Sequence, residues 1–171
     1  TDWINIMSNI EYARMHIRAL APYGQNPRKH SDKQIDQVAK SIEQFGFINP
    51  IVVDANNVIV AGHGRYLAVQ KLGHSDVPVI RVEHLTEAQL RAYRIADNKL
   101  TDNSVWDEPA LKLELEYLGQ LDMELDVTGF EIPEIDLIFA DTEVDDRDAA
   151  SLSELSVPDN SVINPGDLFT L

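Results

Sequence analysis

The run Val58-Ile59-Val60-Ala61-Gly62-His63-Gly64-Arg65 constrains the fold more than any other part of the chain. Consecutive β-branched residues favour extended backbone, and the two glycines that follow permit a sharp change of direction. Arg65 to Leu72 then reads as a helix with Leu67, Ala68 and Leu72 on its buried face, and Gly73 stops it. A strand feeding directly into a helix calls for a sheet with helices packed on it. The junction is also a place for chemistry. N–H groups at a helix start lack intrahelical partners and carry partial positive charge, so an anion can bind there, and Arg65 can fork onto phosphate oxygens. The same pattern also suits a tight strand-to-helix turn with Arg65 on the surface. It is neither a P-loop nor a dinucleotide fingerprint, because the Lys-Ser/Thr pair and the third glycine are absent.

The flanking elements agree with an α+β domain. Tyr12 to Leu20 alternates as a strand, with Ala13, Met15 and Ile17 on one side. A turn-rich loop follows at Pro22 to Pro27. Ser31 caps a helix and Gln34 supplies the second half of a capping box. Ile35, Val38, Ala39, Ile42 and Phe45 recur at helical spacing up to Gly46. Ile51-Val52-Val53 and Val58-Ile59-Val60 form a hairpin across Asp54 to Asn57. Val77 to Val82 is a further strand, with Pro78 favouring an edge or entry position. Thr86 and Gln89 open a second boxed helix through Leu100. Beyond it, Glu108 to Leu121 is an acidic helix built on Leu111, Leu115, Leu118 and Leu121, and Phe130 to Phe139 adds a short one with Pro133 in its first turn. Asp141 to Asn160 reads as a linker, and residues 161–171 as the opening strand of something further.

Composition bears on function through the charge. Net charge is −15 over 171 residues, but it is divided: residues 1–100 hold 12 Lys+Arg and 10 Asp+Glu, residues 101–171 hold 2 and 19. Any phosphate chemistry therefore belongs to the first part, and the acidic part repels a polyanion such as DNA. The absence of cysteine excludes disulfides, thiolate nucleophiles and sulfur redox cycles. No apolar run is long enough to span a membrane and no export signal is visible, so a cytoplasmic protein without membrane contact is expected.

Further polar groups converge on the junction in this reading. Arg28 and Lys99 can neutralise phosphates, while Asn98 or Asp97 can offer oxygen to a Mg²⁺ that keeps most of its waters. His63 can act as a general acid or base, or simply close its own turn by a hydrogen bond. The remaining histidines have no ligand spacing, and no nucleophile elbow is present.

Taken in order, Asn26-Pro27-Arg28, the Ser-capped helix, Gly46-Phe47-Ile48-Asn49-Pro50, Ala61-Gly62-His63-Gly64-Arg65, Val77-Pro78-Val79 and Asp97-Asn98-Lys99-Leu100 resemble the ParB N-terminal domain, of the ParB/sulfiredoxin superfamily. The resemblance covers residues 10–103. It is greatest to the branch fused in front of DNA-modification methyltransferases, often of phage or mobile-element origin. It implies a small mixed sheet packed with helices, an acidic helical extension over 104–140, a linker over 141–160, and the start of a methyltransferase-like domain at 161–171.

The resemblance also implies a nucleotide pocket. ParB partitioning proteins bind and hydrolyse CTP with Mg²⁺ on this fold. By position, Gly46 to Pro50 would line the base and ribose side, and Gly62, His63, Gly64 and Arg65 would hold the phosphates. Arg28 and Lys99 would assist, Asn98 would sit near the metal, and His63 and Asp97 would serve any hydrolysis. Three departures stand out. Gly62-His63-Gly64-Arg65 replaces the family's Gly-Glu-Arg-Arg, which bears on hydrolysis and on the choice between CTP and ATP or ADP. Sulfiredoxin chemistry lacks its cysteine. The helices after the domain are acidic where the partitioning proteins have a basic helix-turn-helix. The expected role is a nucleotide-binding regulatory module that helps a methyltransferase engage DNA in the nucleoid, with S-adenosylmethionine serving only the methyltransferase domain. The alternatives are a nucleoside triphosphatase or phosphotransferase, and an inactive adaptor whose acidic helices pair two copies into a homodimer.

Overall fold

The computed structural model describes residues 10–140 of the chain. The linker and the strand expected over 141–171 lie outside the described residues. Four strands form one mixed sheet: β1 (Ile10–His16), β2 (Ile51–Asp54), β3 (Ile59–Ala61) and β4 (Asp76–Val82), in the order β1-β4-β2-β3. β1 runs antiparallel to β4, β4 parallel to β2, and β2 antiparallel to β3. The parallel pair requires a crossover, which the chain makes through β3 and the helix that follows it. Among the described residues five α-helices accompany the sheet: α1 (Asp32–Phe45), α2 (His63–Leu72), α3 (Glu87–Asp102), α4 (Glu108–Gln120) and α5 (Ile132–Ala140).

The core lies where β2 and β4 meet α2. Ile51, Val53, Val77 and Val79 alternate along their strands and are fully buried with Ile59 and Val69, and Tyr66 is buried beside them. Ile42 of α1, Phe47 and Leu67 of α2 pack against this cluster. Leu115, Val127 and Ile135 are buried in the C-terminal helices, so the acidic extension carries a small apolar centre. The Trp106 and Phe130 rings pair at a centroid separation of 5.5 Å.

Local signals set most boundaries, and several features differ from expectation; α2 starts at His63, two residues before the expected Arg65. β1 ends at His16, not Leu20, because the His16 Nδ1 accepts the Arg18 N–H at 3.1 Å and starts a 3-10 turn over Ile17–Ala19. The Ser31 hydroxyl accepts the Gln34 N–H at 3.1 Å, but the Gln34 side chain turns to His30 at 3.0 Å, so only half of that capping box forms. The Thr86–Gln89 box is complete. Pro78 sits in an interior strand; pairing with β2 begins one residue later, at Val79 opposite Ile51, so the proline interrupts no rung on that side. Leu121 follows the end of α4 and is exposed instead of joining the apolar stripe. The hairpin forms as expected, with Asn57 at φ 62°.

Candidate nucleotide site

Gly62 is the N-cap of α2 and adopts φ 97°, ψ 27°, in the left-handed region where a side chain is strained. No side chain caps the helix, so its first N–H groups face outward as a donor cluster. Arg65 folds back over this turn. A Cβ built on Gly62 would stand 2.9 Å from the Arg65 Nη2, so the glycine makes room for the guanidinium. Arg65 Nη2 donates to the Pro50 carbonyl at 3.2 Å, which ties the turn to the start of β2. Its Nε is buried without a hydrogen-bond partner. Burial works against the Arg65 charge, and the Asp97 carboxylate nearby favours it. A buried guanidinium with a spare donor is poised for an additional acceptor.

His63 is held differently. Its Nε2 accepts the Tyr23 N–H at 3.2 Å, so that nitrogen carries no proton. Burial first, and then the nearby His30 and Arg94, lower its pKa to about 4. At neutral pH His63 is held uncharged, a strut between the loop and the turn. Gly64 faces His30, whose ring atoms would lie 3.3 Å from an added Cβ.

Arg94 is the single buried residue of α3 and anchors the helix in this region. The Arg94 guanidinium lies 3.9 Å over the Tyr23 ring, and its Nε donates to the Ile59 carbonyl on β3 at 3.3 Å. Asn98 donates from Nδ2 to the Arg94 carbonyl at 2.7 Å, which leaves its Oδ1 unengaged by that bond. Partial burial and the neighbouring Asp97 carboxylate push the Tyr93 phenol up. Arg28 pairs with Asp102 at the end of α3, and Lys99 lies in the last turn of the same helix.

The ten residues singled out from the sequence thus fall into linked groups. Gly62 makes the turn, and His63, Gly64 and Arg65 are the first residues of α2. Gly46 and Pro50 join it through Arg65, which contacts Pro50 and also lines a cleft with Gly46. Asp97 and Asn98 approach along α3, Lys99 lies in its last turn, and Arg28 is engaged with Asp102. Tyr23, His30 and Arg94 complete the arrangement and were not foreseen. Among the described residues, no group of three or more His, Asp or Glu is placed to hold a metal ion.

Two family models match the chain in succession: the ParB N-terminal domain over residues 6–98 and the ParB-methyltransferase HTH domain over residues 109–165. The chain belongs to the ParB N-terminal domain family. Its second matched segment contains α4 and α5, the acidic helices. The ParB-like nuclease domain-containing protein YnaK of Escherichia coli K12 is 44% identical over 73 residues, covering 43% of this chain and 84% of YnaK. The probable chromosome 2-partitioning protein ParB of Deinococcus radiodurans is 38% identical over 94 residues, 52% of this chain. The chain spans only 32% of that partitioning protein's length. In structure it resembles the C-terminally truncated chromosome-partitioning protein ParB of Caulobacter crescentus, complexed with CTP-gamma-S. The TM-score is 0.64 at 20% identity, over 84% of this chain and 85% of that one. The α+β fold read from the sequence is therefore that of the ParB N-terminal domain. No helix among the described residues is long and apolar enough to cross a membrane.

Proposed function

We propose that the ParB domain of this chain binds a nucleotide at the Gly62–Arg65 turn and acts as a regulatory module for a DNA-modification methyltransferase. The observation that carries this reading is the uncapped start of α2 beside the buried, unpartnered Nε of Arg65. Donors of this kind match phosphate oxygens. The CTP-gamma-S bound by the Caulobacter protein supports the ligand class. Mg²⁺, if carried by the nucleotide, finds the Asn98 Oδ1 as a protein oxygen, the rest of its shell being phosphate and water. The match to a ParB-methyltransferase HTH domain supports a role in DNA engagement within a parent methyltransferase.

Binding is favoured over hydrolysis. The lone pair that His63 would use as a base already takes the Tyr23 N–H, and the exposed Asp97 is the remaining carboxylate beside Arg65.

Calorimetry with CTP, ATP, ADP and AMP in the presence of Mg²⁺ tests the reading. Saturable binding that Arg65→Ala removes supports it; binding unchanged in Arg65→Ala overturns the placement. Release of phosphate from a bound triphosphate would move the assignment to an enzyme.

A further inference from the structure

A groove of about 480 Å³ lies between the 3-10 turn Leu125–Thr128 and α5. Ile132, Ile135 and Phe139 recur at i, i+3 and i+7, so they share one face of α5, and with Leu125 they give the groove its apolar surface. Ile135 is buried, whereas Ile132 is left 68% exposed. The rim is acidic, from Glu124, Asp126 and Asp136. Lys40 of α1 pairs with Glu124 at 3.2 Å and with Asp126, while Asp136 has no cationic partner among the described residues. One ammonium against three carboxylates leaves the rim at 1 − 3 = −2.

The turn that forms one wall is held in place. It belongs to the second family segment, residues 109–165, which is fastened to α1 at three points one helical turn apart. Lys33 pairs with Glu131, the Gln37 side chain donates to the Gly129 carbonyl at 2.9 Å, and Lys40 pairs with Asp126. Val127 and Thr128 of the same turn line the cleft that Gly46 and Arg65 share, so Leu125 and Asp126 are what the turn offers the groove.

Charge decides what fits there. Residues 108–140 hold nine Asp+Glu and one Lys. That lysine, Lys112, donates to the Phe139 carbonyl at 3.3 Å and lies 3.9 Å from Glu116. Phosphate contact needs cations, so these helices are poorly suited to DNA. The chain's own continuation, residues 141–165, has seven Asp+Glu and one Arg. A second copy meeting the groove with the same face would set carboxylate against carboxylate. An apolar groove with a negative rim is complementary to a helix whose apolar stripe is flanked by Lys or Arg.

We infer that this groove docks a basic amphipathic helix of a partner protein, its apolar side chains against Ile132, Ile135 and Phe139 and its cations on Glu124 and Asp136. The acidic segment thus recruits a protein and leaves phosphates untouched. Nucleotide at the start of α2 is not needed for this contact, so the two readings stand or fall separately.

The probe is a labelled synthetic helix of about 18 residues, with Leu at i, i+3, i+4 and i+7 positions and Lys on the flanks. Its scrambled isomer keeps the charge and loses the stripe. Anisotropy with the full chain at about 0.1 M salt should show the patterned peptide binding tenfold or more tighter than the isomer. Asp136→Lys and Ile132→Glu, both at exposed positions, should each weaken it by about tenfold. Ile132→Glu is the sharper variant, because it adds negative charge and mere charge attraction would tighten binding. Tightening there, or equal affinity for the two peptides, overturns the inference. In the unmodified chain the patterned peptide should slow amide exchange over residues 132–139. Unchanged exchange there overturns the inference, as does protection of the same residues by duplex DNA. Faster exchange over residues 141–165 on adding peptide gives the groove to the chain's own continuation and overturns it. A dimer of the full chain that Ile132→Glu dissolves gives the groove to a second copy and overturns it too.

Discussion

Arg28 and Asp102 form a two-pronged ion pair, Nη1 to Oδ2 at 2.7 Å and Nη2 to Oδ1 at 3.1 Å, that joins the loop before α1 to the last residue of α3. The hydrogen bond and charge of Arg28 hold the Asp102 carboxyl below its ordinary range. Both side chains remain about two-fifths exposed, at 41% and 42%, so the pair contributes little to stability. What it contributes is present above the ordinary carboxylate range and is lost as pH falls through the depressed value.

Its more informative test concerns Arg28. Asp102→Asn frees the guanidinium. If Arg28 serves a phosphate, calorimetry at low salt should show tripolyphosphate binding tightened severalfold, with the gain fading as salt rises. Unchanged affinity would make Arg28 a surface tether and nothing more.

His63 gives a pH dependence with a definite sign. Its folded pKa of about 4 lies below the unfolded value, so the unfolded chain takes up the proton first. Stability attributable to this group is fully present above about pH 6.5 and falls as the pH drops towards the folded value. Melting temperatures measured from pH 7 to pH 4 should decline, and His63→Gln should flatten that decline while keeping an acceptor for the Tyr23 N–H. A ring-proton titration with a midpoint in the ordinary histidine range would contradict the assignment.

Gly62→Ala should be costly and Gly64→Ala cheaper. At Gly62 the backbone is left-handed and the new Cβ would strike Arg65 at 2.9 Å, for a loss of roughly 1–2 kcal/mol from the backbone alone. At Gly64 the chain is helical and the imidazole of His30 need give only slightly. Denaturant unfolding of the two variants gives the comparison directly. Equal losses would mean that the left-handed turn is not the strained point.

Arg94→Ala should release α3. It removes a hydrogen bond to Ile59 and the contact with Tyr23 from a site only 4% exposed, for a loss of roughly 2–4 kcal/mol. Amide exchange along residues 87–102 should rise more than exchange in β4. A uniform rise would indicate that Arg94 supports the whole domain and not the helix.

These positions show what the sequence could and could not reveal. Ser31, Gly46, Thr86 and the Asn57 turn act through their immediate neighbours, so helix limits and the hairpin were legible. The turn at Gly62 was legible for the same reason, though its occupation by Arg65 was not. Arg94 escaped notice because an arginine in a helix ordinarily reads as a solvated charge. Its only signal was periodic: Leu90, Arg94 and Asn98 share one helix face. Tyr23 lay in a loop, where no periodicity marks a residue that will cover a guanidinium. Pro78 misled because a rule about edges depends on which neighbour begins where, a matter of tertiary register. The cleft joins residues roughly 80 apart in the chain, and local pattern carries no trace of it.

The three-point fastening along α1 also bears on how such proteins diversify. Lys33, Gln37 and Lys40 are written in one segment and their acceptors in the other, so a change on either side leaves its counterpart without that partner. A ParB domain exchanged between relatives by recombination would bring a foreign α1 to this seam. The contacts at the seam would then have to be made anew by whatever side chains that helix surface carries.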